Sequence, residues 1–435
     1  MNQPAPGGTA MAASSRRGDV IGGFTTFLTT AYIVVVNPSI LATRGTGMSF
    51  TGTLTATVLV CFSMTLLMGL FARLPFAVAP GMGINAFFAY TVILGRGVPW
   101  PTALGMIFWA GVLFVLLSVT PVRLSIARAI PASLRAGSAV GIGLFLTFIG
   151  LKNAGLVVAH PATLVAFGRL DAGVGLSLLG LLVMVLLLRR RSPFAFLAGI
   201  ALVTAIAAAL GLVRAPEHAF SAPDFSSVTL RLDVRAALQL SLLPTIVAIC
   251  FTDLFDSISS LVGVSHATGL VDERGEPLRL GRGLLVDALA TLSAGLLGSS
   301  SGTAYIESAA GIEAGGRTGL SAVVTALCFL PCLFIAPIAG MVPPQATAPV
   351  LILVGALMLR GARHLPVDHL EEWIPAFLAI VLIPLTFSIT QGMLWAFIAH
   401  AVLFACTGRA REVHPVMWGV AAVSAILLSI ERIAS

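Results

Sequence analysis

A chain of 435 residues that is 57% hydrophobic, only 10% charged and has a mean hydropathy of +1.01 is too apolar to present a water-facing surface, so lipid must be its solvent. The formal charge of +7 does not point to nucleic acid, because the arginines stand singly or in short clusters between apolar stretches, where they set membrane orientation. The five cysteines (Cys61, Cys250, Cys328, Cys332, Cys406) all fall within apolar stretches, with no CxxC pair and no histidine at ligand spacing; they read as helix packing, and no metal or other cofactor is expected.

Residues 1–19 form a polar tail with Arg16 and Arg17, and no small-residue cleavage site follows the next apolar stretch, so the first helix is read as retained. Apolar segments then run at 20–41, 52–72, 75–95, 100–120, 136–158, 173–189, 194–213, 236–263, 281–298, 299–316, 318–341, 343–359, 372–389 and 391–407. At ~1.5 Å per residue such stretches match a bilayer core of ~30 Å, which gives an all-α polytopic protein of about 14 spans. A further stretch, 415–430, is short and follows Arg409 and Arg411; it either lies in the interface or crosses as an extra helix. With the N-terminus inside, seventeen basic residues, Arg123, Arg128 and Arg274 among them, fall on the cytoplasmic side against seven opposite, so the fourteen spans begin and end in the cytoplasm.

The third and tenth segments, third in each half of seven, are poor continuous helices. Such a correspondence is the mark of an inverted repeat. Segment three opens Leu74-Pro75-Phe76-Ala77-Val78-Ala79-Pro80-Gly81-Met82-Gly83, which leaves only Asn85 to Leu94 to wind, and segment ten opens Gly298-Ser299-Ser300-Ser301-Gly302-Thr303 before a helical Tyr305 to Ala314. Freed peptide groups at membrane depth survive only against protein or a water-lined cavity, so the two breaks mark a substrate site. A weaker echo, Phe24–Thr30 against Phe251–Ser257, supports the repeat.

Asp253, Asp256, Asp287 and Glu307 sit inside apolar segments, where an ionised group costs several kcal/mol. Asp253, Asp256, Ser257 and Ser260 fall at i, i+3, i+4 and i+7, one polar stripe that should face a cavity or the broken helices. The bland reading of both aspartates is that they hydrogen-bond freed peptides. Glu307 lies within a turn of a half-helix start, whose exposed N–H groups favour its charge. Asp287 has no polar companion at helical spacing and reads equally as packing or as site. Asn85 either caps its half-helix or reaches into the cavity. Gly81 and Gly83 allow backbone to approach backbone or ligand, and Phe87, Phe88 and Tyr305 offer either an aromatic face for a flat substrate or ordinary packing.

Two carboxylates beside exposed peptide groups repel anions and suit a neutral cargo with N–H donors and acceptors around its edge, as in a nucleobase. Desolvation favours the neutral carboxyl, so protonation can be coupled to loading, which makes proton symport the natural mechanism.

These residues carry a resemblance to the nucleobase transporter family, in its AzgA-like adenine/guanine/hypoxanthine permease branch. The matching stretches are Gly23–Tyr32 with Asn37–Ile40, Ala79–Tyr90, Phe251–Asp256, Tyr305–Gly311 and Gly315–Leu320, in that order, within roughly residues 20–410. The resemblance implies seven-plus-seven inverted repeats, with a core domain (20–121 and 236–341) moving against a gate domain (122–235 and 342–435). It implies proton-coupled purine uptake across the plasma membrane by alternating access. By motif position Asp253 and Glu307 match the base-binding carboxylates, Asn85 the polar contact of segment three, and Asp256 an acid needed for activity. Backbone around Ala86, Phe87 and Tyr305, with Gly83 and Thr303, would line the site, and Asp253, Asp256 and Glu307 are the candidates for proton coupling. Carriers of this kind often pair, so a homodimer is an open alternative to a monomer. Segment eight reads Asp256-Ser257-Ile258-Ser259-Ser260 where the branch more often has Asp-Thr-Ile-Gly-Thr, and Gly302 stands where a bulkier residue is usual.

The rival transporters are an anion carrier, which should lack acids on segments eight and ten, and a uracil or xanthine carrier of the same fold. The rival from another class, an intramembrane enzyme, would need a GxGD or HExxH pattern, and the sequence has neither.

Overall fold

The computed structural model describes residues 15–120, 129–273 and 275–434; residues 1–14 of the tail, and Arg123, Arg128 and Arg274 of the orientation argument, lie outside them. Fourteen segments follow in the expected order: Arg16–Leu41, Phe50–Ala72, Met82–Gly95, Trp100–Val119, Ala132–Asn153, Ala172–Arg189, Ala195–Ala209, Leu243–Thr268, Leu280–Leu297, Ser308–Glu313, Gly319–Phe334, Pro344–Met358, Leu370–Thr386 and Ile389–Cys406. Nine helices among the described residues are long and apolar enough to span alone. Several begin on side-chain caps that satisfy an orphan N–H: Ser49 accepts from Gly52 at 3.2 Å, Asp171 from Val174 at 2.8 Å and Ser388 from Gln391 at 3.2 Å.

The two breaks meet. Val78–Ala79 pairs antiparallel with Thr303–Ala304, Val78 opposite Ala304 and Ala79 opposite Thr303. Neighbouring helices satisfy the peptide groups this releases. Ala77 N–H donates to Ser308 Oγ (3.0 Å), Gly81 N–H to Ser301 Oγ (3.1 Å), Gly302 N–H to Thr291 Oγ1 (3.1 Å) and Tyr305 N–H to the Ala77 carbonyl (2.9 Å). Thr65 serves Val78 twice, accepting from its N–H at 2.9 Å and donating to its carbonyl at 3.1 Å. Thr65→Val keeps the shape and orphans both groups, so it should cost ~1–3 kcal/mol and lower the melting temperature in detergent. Melting equal to wild type would contradict this accounting.

Several boundaries differ from the sequence reading. Segment three winds from Met82, because Gly81 (φ −68°, ψ 117°) already ends the extended stretch, and its later part, Phe87–Gly95, is wound wider than an α-helix. Segment ten starts its helix only at Ser308, after a turn over Tyr305–Glu307. Segment eight is preceded by two 3₁₀ turns, Ala236–Leu238 and Leu240–Leu242. Segment five ends at Asn153, where Gly155 (φ 77°) turns the chain into an exposed hairpin, Val157–His160 with Leu164–Phe167. Among the described residues the fold is all-α apart from these two small strand pairs and a single bridge, Val271 with Pro277.

Segment one packs against segments ten and eleven, four against nine, and two against eleven; separately, five packs against twelve and thirteen, and six against seven and twelve. The stretch 415–430, left open by sequence, forms the helix Pro415–Ala434, packed on segments fourteen and eight through Met417, Ala421, Ser424 and Leu427. It reaches the Leu240–Leu242 turn, which precedes segment eight on the face away from Arg16. The helix therefore runs back across the bundle towards the face opposite Arg16.

Candidate functional site

Seen from the breaks, four acids surround the strand pair, and among the described residues none of the four forms an ion pair with lysine or arginine. They divide by exposure. Asp256 and Glu307 are partly exposed, whereas Asp253 and Asp287 are wholly buried at 0%. Glu307 stands at the N-cap position of Ser308–Glu313 rather than inside its first turn, and its side chain makes no capping bond. Its Oε1 accepts from Tyr32 Oη at 2.7 Å, where segment one is interrupted between Arg16–Thr30 and Ile33–Leu41. The Tyr32 ring is held by Phe196 at 4.7 Å.

Asp256 Oδ2 lies 3.9 Å from where a Cβ on Gly81 would sit, so it reaches the first break, and segment eight packs on Ser308–Glu313, the helix that Glu307 opens. Segment eight continues this opening: Ser259 and Gly263, one and two turns further along, are exposed. Gly83, two residues after Gly81, is partly exposed, and a Cβ there would lie 2.3 Å from Ile142 of segment five.

Behind the strands, Asp253 accepts the Thr291 hydroxyl proton, and Thr291 Oγ1 in turn accepts from the Gly302 N–H at 3.1 Å, with the Gly302 carbonyl close by at 3.2 Å. Gly302 packs on Ala290, whose Cβ would be 2.5 Å from any Cβ at that position, which leaves no room for a bulkier residue. Asp287 accepts from Ala304 N–H at 3.1 Å, so the buried acid without a helical companion holds the second break. Each of Asp253 and Asp287 keeps one buried oxygen without a protein partner.

Asn85 does not cap its helix. Its own N–H bonds the Gly81 carbonyl, and its side chain, fully buried, accepts from Ser300 of the opposite break. Tyr305 Oη donates to the Pro80 carbonyl at 2.5 Å. Ala86, Phe87, Thr303 and Tyr305 are all buried around the strand pair, Phe87 at 1%. Sequence reasoning missed Tyr32 as a site residue. The available signal was that the chain has only three tyrosines, Tyr32, Tyr90 and Tyr305, and all three stand within the quoted motifs.

Comparison with known proteins shows the family. Adenine permease AdeP of Escherichia coli K12 is 42% identical over 92% of this chain and 90% of its own, and guanine/hypoxanthine permease PbuG of Bacillus subtilis 168 is 39% identical over 93% and 94%. Among solved structures, the transmembrane domain of the cyanobacterial bicarbonate transporter BicA superposes with a TM-score of 0.64 at 18% identity, covering 87% of this chain and 97% of that one, a likeness of fold with seven-plus-seven inverted repeats. The relatives are permeases and not enzymes. With the Permease family model matching residues 17–395, the chain belongs to that family of multi-pass nucleobase permeases.

Proposed function

We propose that the protein is a secondary active transporter that takes purine bases (adenine, guanine, hypoxanthine) and protons across the inner membrane by alternating access, with its N-terminus in the cytoplasm. The observation that carries this reading is the partly exposed pair Asp256 and Glu307 at the crossing of the two breaks. It is supported by the names of relatives at 39–42% identity, an adenine permease and a guanine/hypoxanthine permease.

The base lies against Gly83 and the strand pair, offering its ring N–H groups to Glu307 and Asp256. Asp253 acts one layer back, through Thr291 and Gly302, and Asn85 sets the spacing of the two breaks through Ser300. Two ionised carboxylates side by side in low dielectric repel, so loading a neutral base between them favours taking up a proton as well. The moving core comprises segments one to four and eight to eleven, and the gate comprises five to seven and twelve to fourteen. The separate packing of five on twelve and thirteen supports that division.

In liposomes an inward proton gradient should drive uptake of radiolabelled adenine or hypoxanthine. A thermal-shift panel of purines, pyrimidines and anions should give stabilisation by purines alone. Stabilisation by anions and not by purines would overturn the reading.

A further inference from the structure

Segments three, five and thirteen converge on the face away from Arg16, and a single residue, Phe387, ties them together. Phe387 links Leu370–Thr386 to Ile389–Cys406 in a left-handed conformation (φ 53°, ψ 29°), which is costly for a bulky residue and persists only where surroundings enforce it. Its N–H donates to the Ile383 carbonyl, and its ring stands edge-on to Phe145 at 5.4 Å and Phe148 at 5.3 Å. So held, its carbonyl accepts the hydroxyl of Thr91, six residues beyond Asn85 on the half-helix of the first break. Beside this contact Asn153 donates to Tyr90 Oη at 3.4 Å, and the Lys152 ammonium lies 5.6 Å from the Tyr90 ring centre. Immediately outside is a chamber of about 510 Å³ lined by Tyr90, Arg96, Lys152, Phe387, Ser388 and Gln391 among others. Thr390, just inside, is fully buried, whereas Ser259 and Gly263 on the opposite side of the acid pair are exposed.

We propose that the Thr91–Phe387 contact is the latch that closes the carrier on the face away from its N-terminus, beneath an entry chamber for the base. This rests on the reading of the protein as an alternating-access nucleobase carrier. The contact joins the half-helix that bears the site to the helices outside it, so it must break when the site turns to that face. The strained Phe387 backbone aims the acceptor, and Tyr90 with Lys152 and Asn153 forms the flank of the same closure.

The test uses the purified full-length protein with Cys328, Cys332 and Cys406 changed to serine and one reporter, either Thr390→Cys within the latch or Ser259→Cys on the open side, titrated with a maleimide. Adding Thr91→Val should speed Thr390→Cys labelling about fivefold and slow Ser259→Cys labelling, because opening one face closes the other. Thr91→Ser, which keeps the donor, should restore both rates. Should Thr91→Val not fold, Phe387→Gly, which removes the ring anchors, should give the same reciprocal change. A rise at Thr390→Cys alone, which mere local loosening would give, or no change at either reporter, overturns the latch. Absence of purine binding in the wild type would instead sink the transport reading, leaving the reporter rates to be judged separately.

Discussion

Glu307→Gln should cut purine uptake at least ~100-fold in kcat/KM while leaving the fold intact. Glutamine keeps the size and one acceptor but removes the charge, replaces an acceptor oxygen with a donor that faces the N–H groups of the base, and removes a proton-binding site. A hydrogen bond to a charged group contributes ~1.5–3 kcal/mol, about one to two factors of ten for each such bond to the base. The environment sharpens the effect, because Tyr32 Oη already donates to Oε1 at 2.7 Å and Asp256 stands on the segment packed against Ser308–Glu313. Tyr32→Phe removes one donor and leaves the carboxylate, so its loss should be smaller, about tenfold. The double variant should be little worse than Glu307→Gln, since the tyrosine acts through the carboxylate. Radiolabelled uptake in liposomes and thermal shift with adenine read both quantities. Uptake by Glu307→Gln within about threefold of wild type would remove Glu307 from the site, and additive losses in the double variant would detach Tyr32 from it.

Composition and pattern made the membrane class, the number of segments and the two interrupted helices legible, because Pro75, Pro80, Gly81 and the Ser299–Ser301 run violate local helix rules strongly enough to survive any tertiary context. What local rules could not show is where each half-helix restarts. Met82 begins winding because residues 303 and 304, over two hundred positions away, supply the strand that holds Val78 and Ala79 extended. The same non-locality hid the pairing of Asn85 with Ser300 and of Tyr32 with Glu307: each polar residue stands out in its own segment, but its partner depends on how segments cross. Asp287 was ambiguous for the same reason, since its partner is a peptide N–H and carries no sequence signature. Only the first residues of the hairpin, Val157 and Val158, were read into segment five, because they continue an apolar run, whereas Gly155 alone signals the turn. For 415–430, length and charge fit two placements, and what separates them is a contact remote in sequence, that of Pro415–Ala434 with the turn Leu240–Leu242 on the face away from Arg16.

Gly311→Leu is expected to prevent assembly altogether, and even Gly311→Ala should lower stability by ~1–3 kcal/mol or more. A Cβ at Gly311 would lie 1.9 Å from Thr26 Oγ1 and 2.4 Å from the Gly22 carbonyl oxygen, and a Cβ at Gly22 would lie 2.5 Å from the Gly311 carbonyl oxygen and from Gly316 backbone atoms. Segments one and ten thus cross almost backbone to backbone, with the Thr26 side chain filling what space there is, the close approach that small residues permit in membranes. Thr26 can rotate away from a methyl group, but the Gly22 carbonyl cannot, so the helix Ser308–Glu313 must shift. That shift carries Glu307 away from Tyr32, so surviving Gly311→Ala protein should bind adenine more weakly as well as melt earlier. Gly263→Ala is the matched control: a Cβ there meets nothing within 4 Å, and alanine in a helix interior gains up to ~1 kcal/mol over glycine, so this variant should melt at or above the wild-type temperature. Fluorescence-detected size exclusion and melting in detergent read both. Wild-type melting in Gly311→Ala would show that the crossing is looser than these distances, and that Glu307 is placed by something other than segment one.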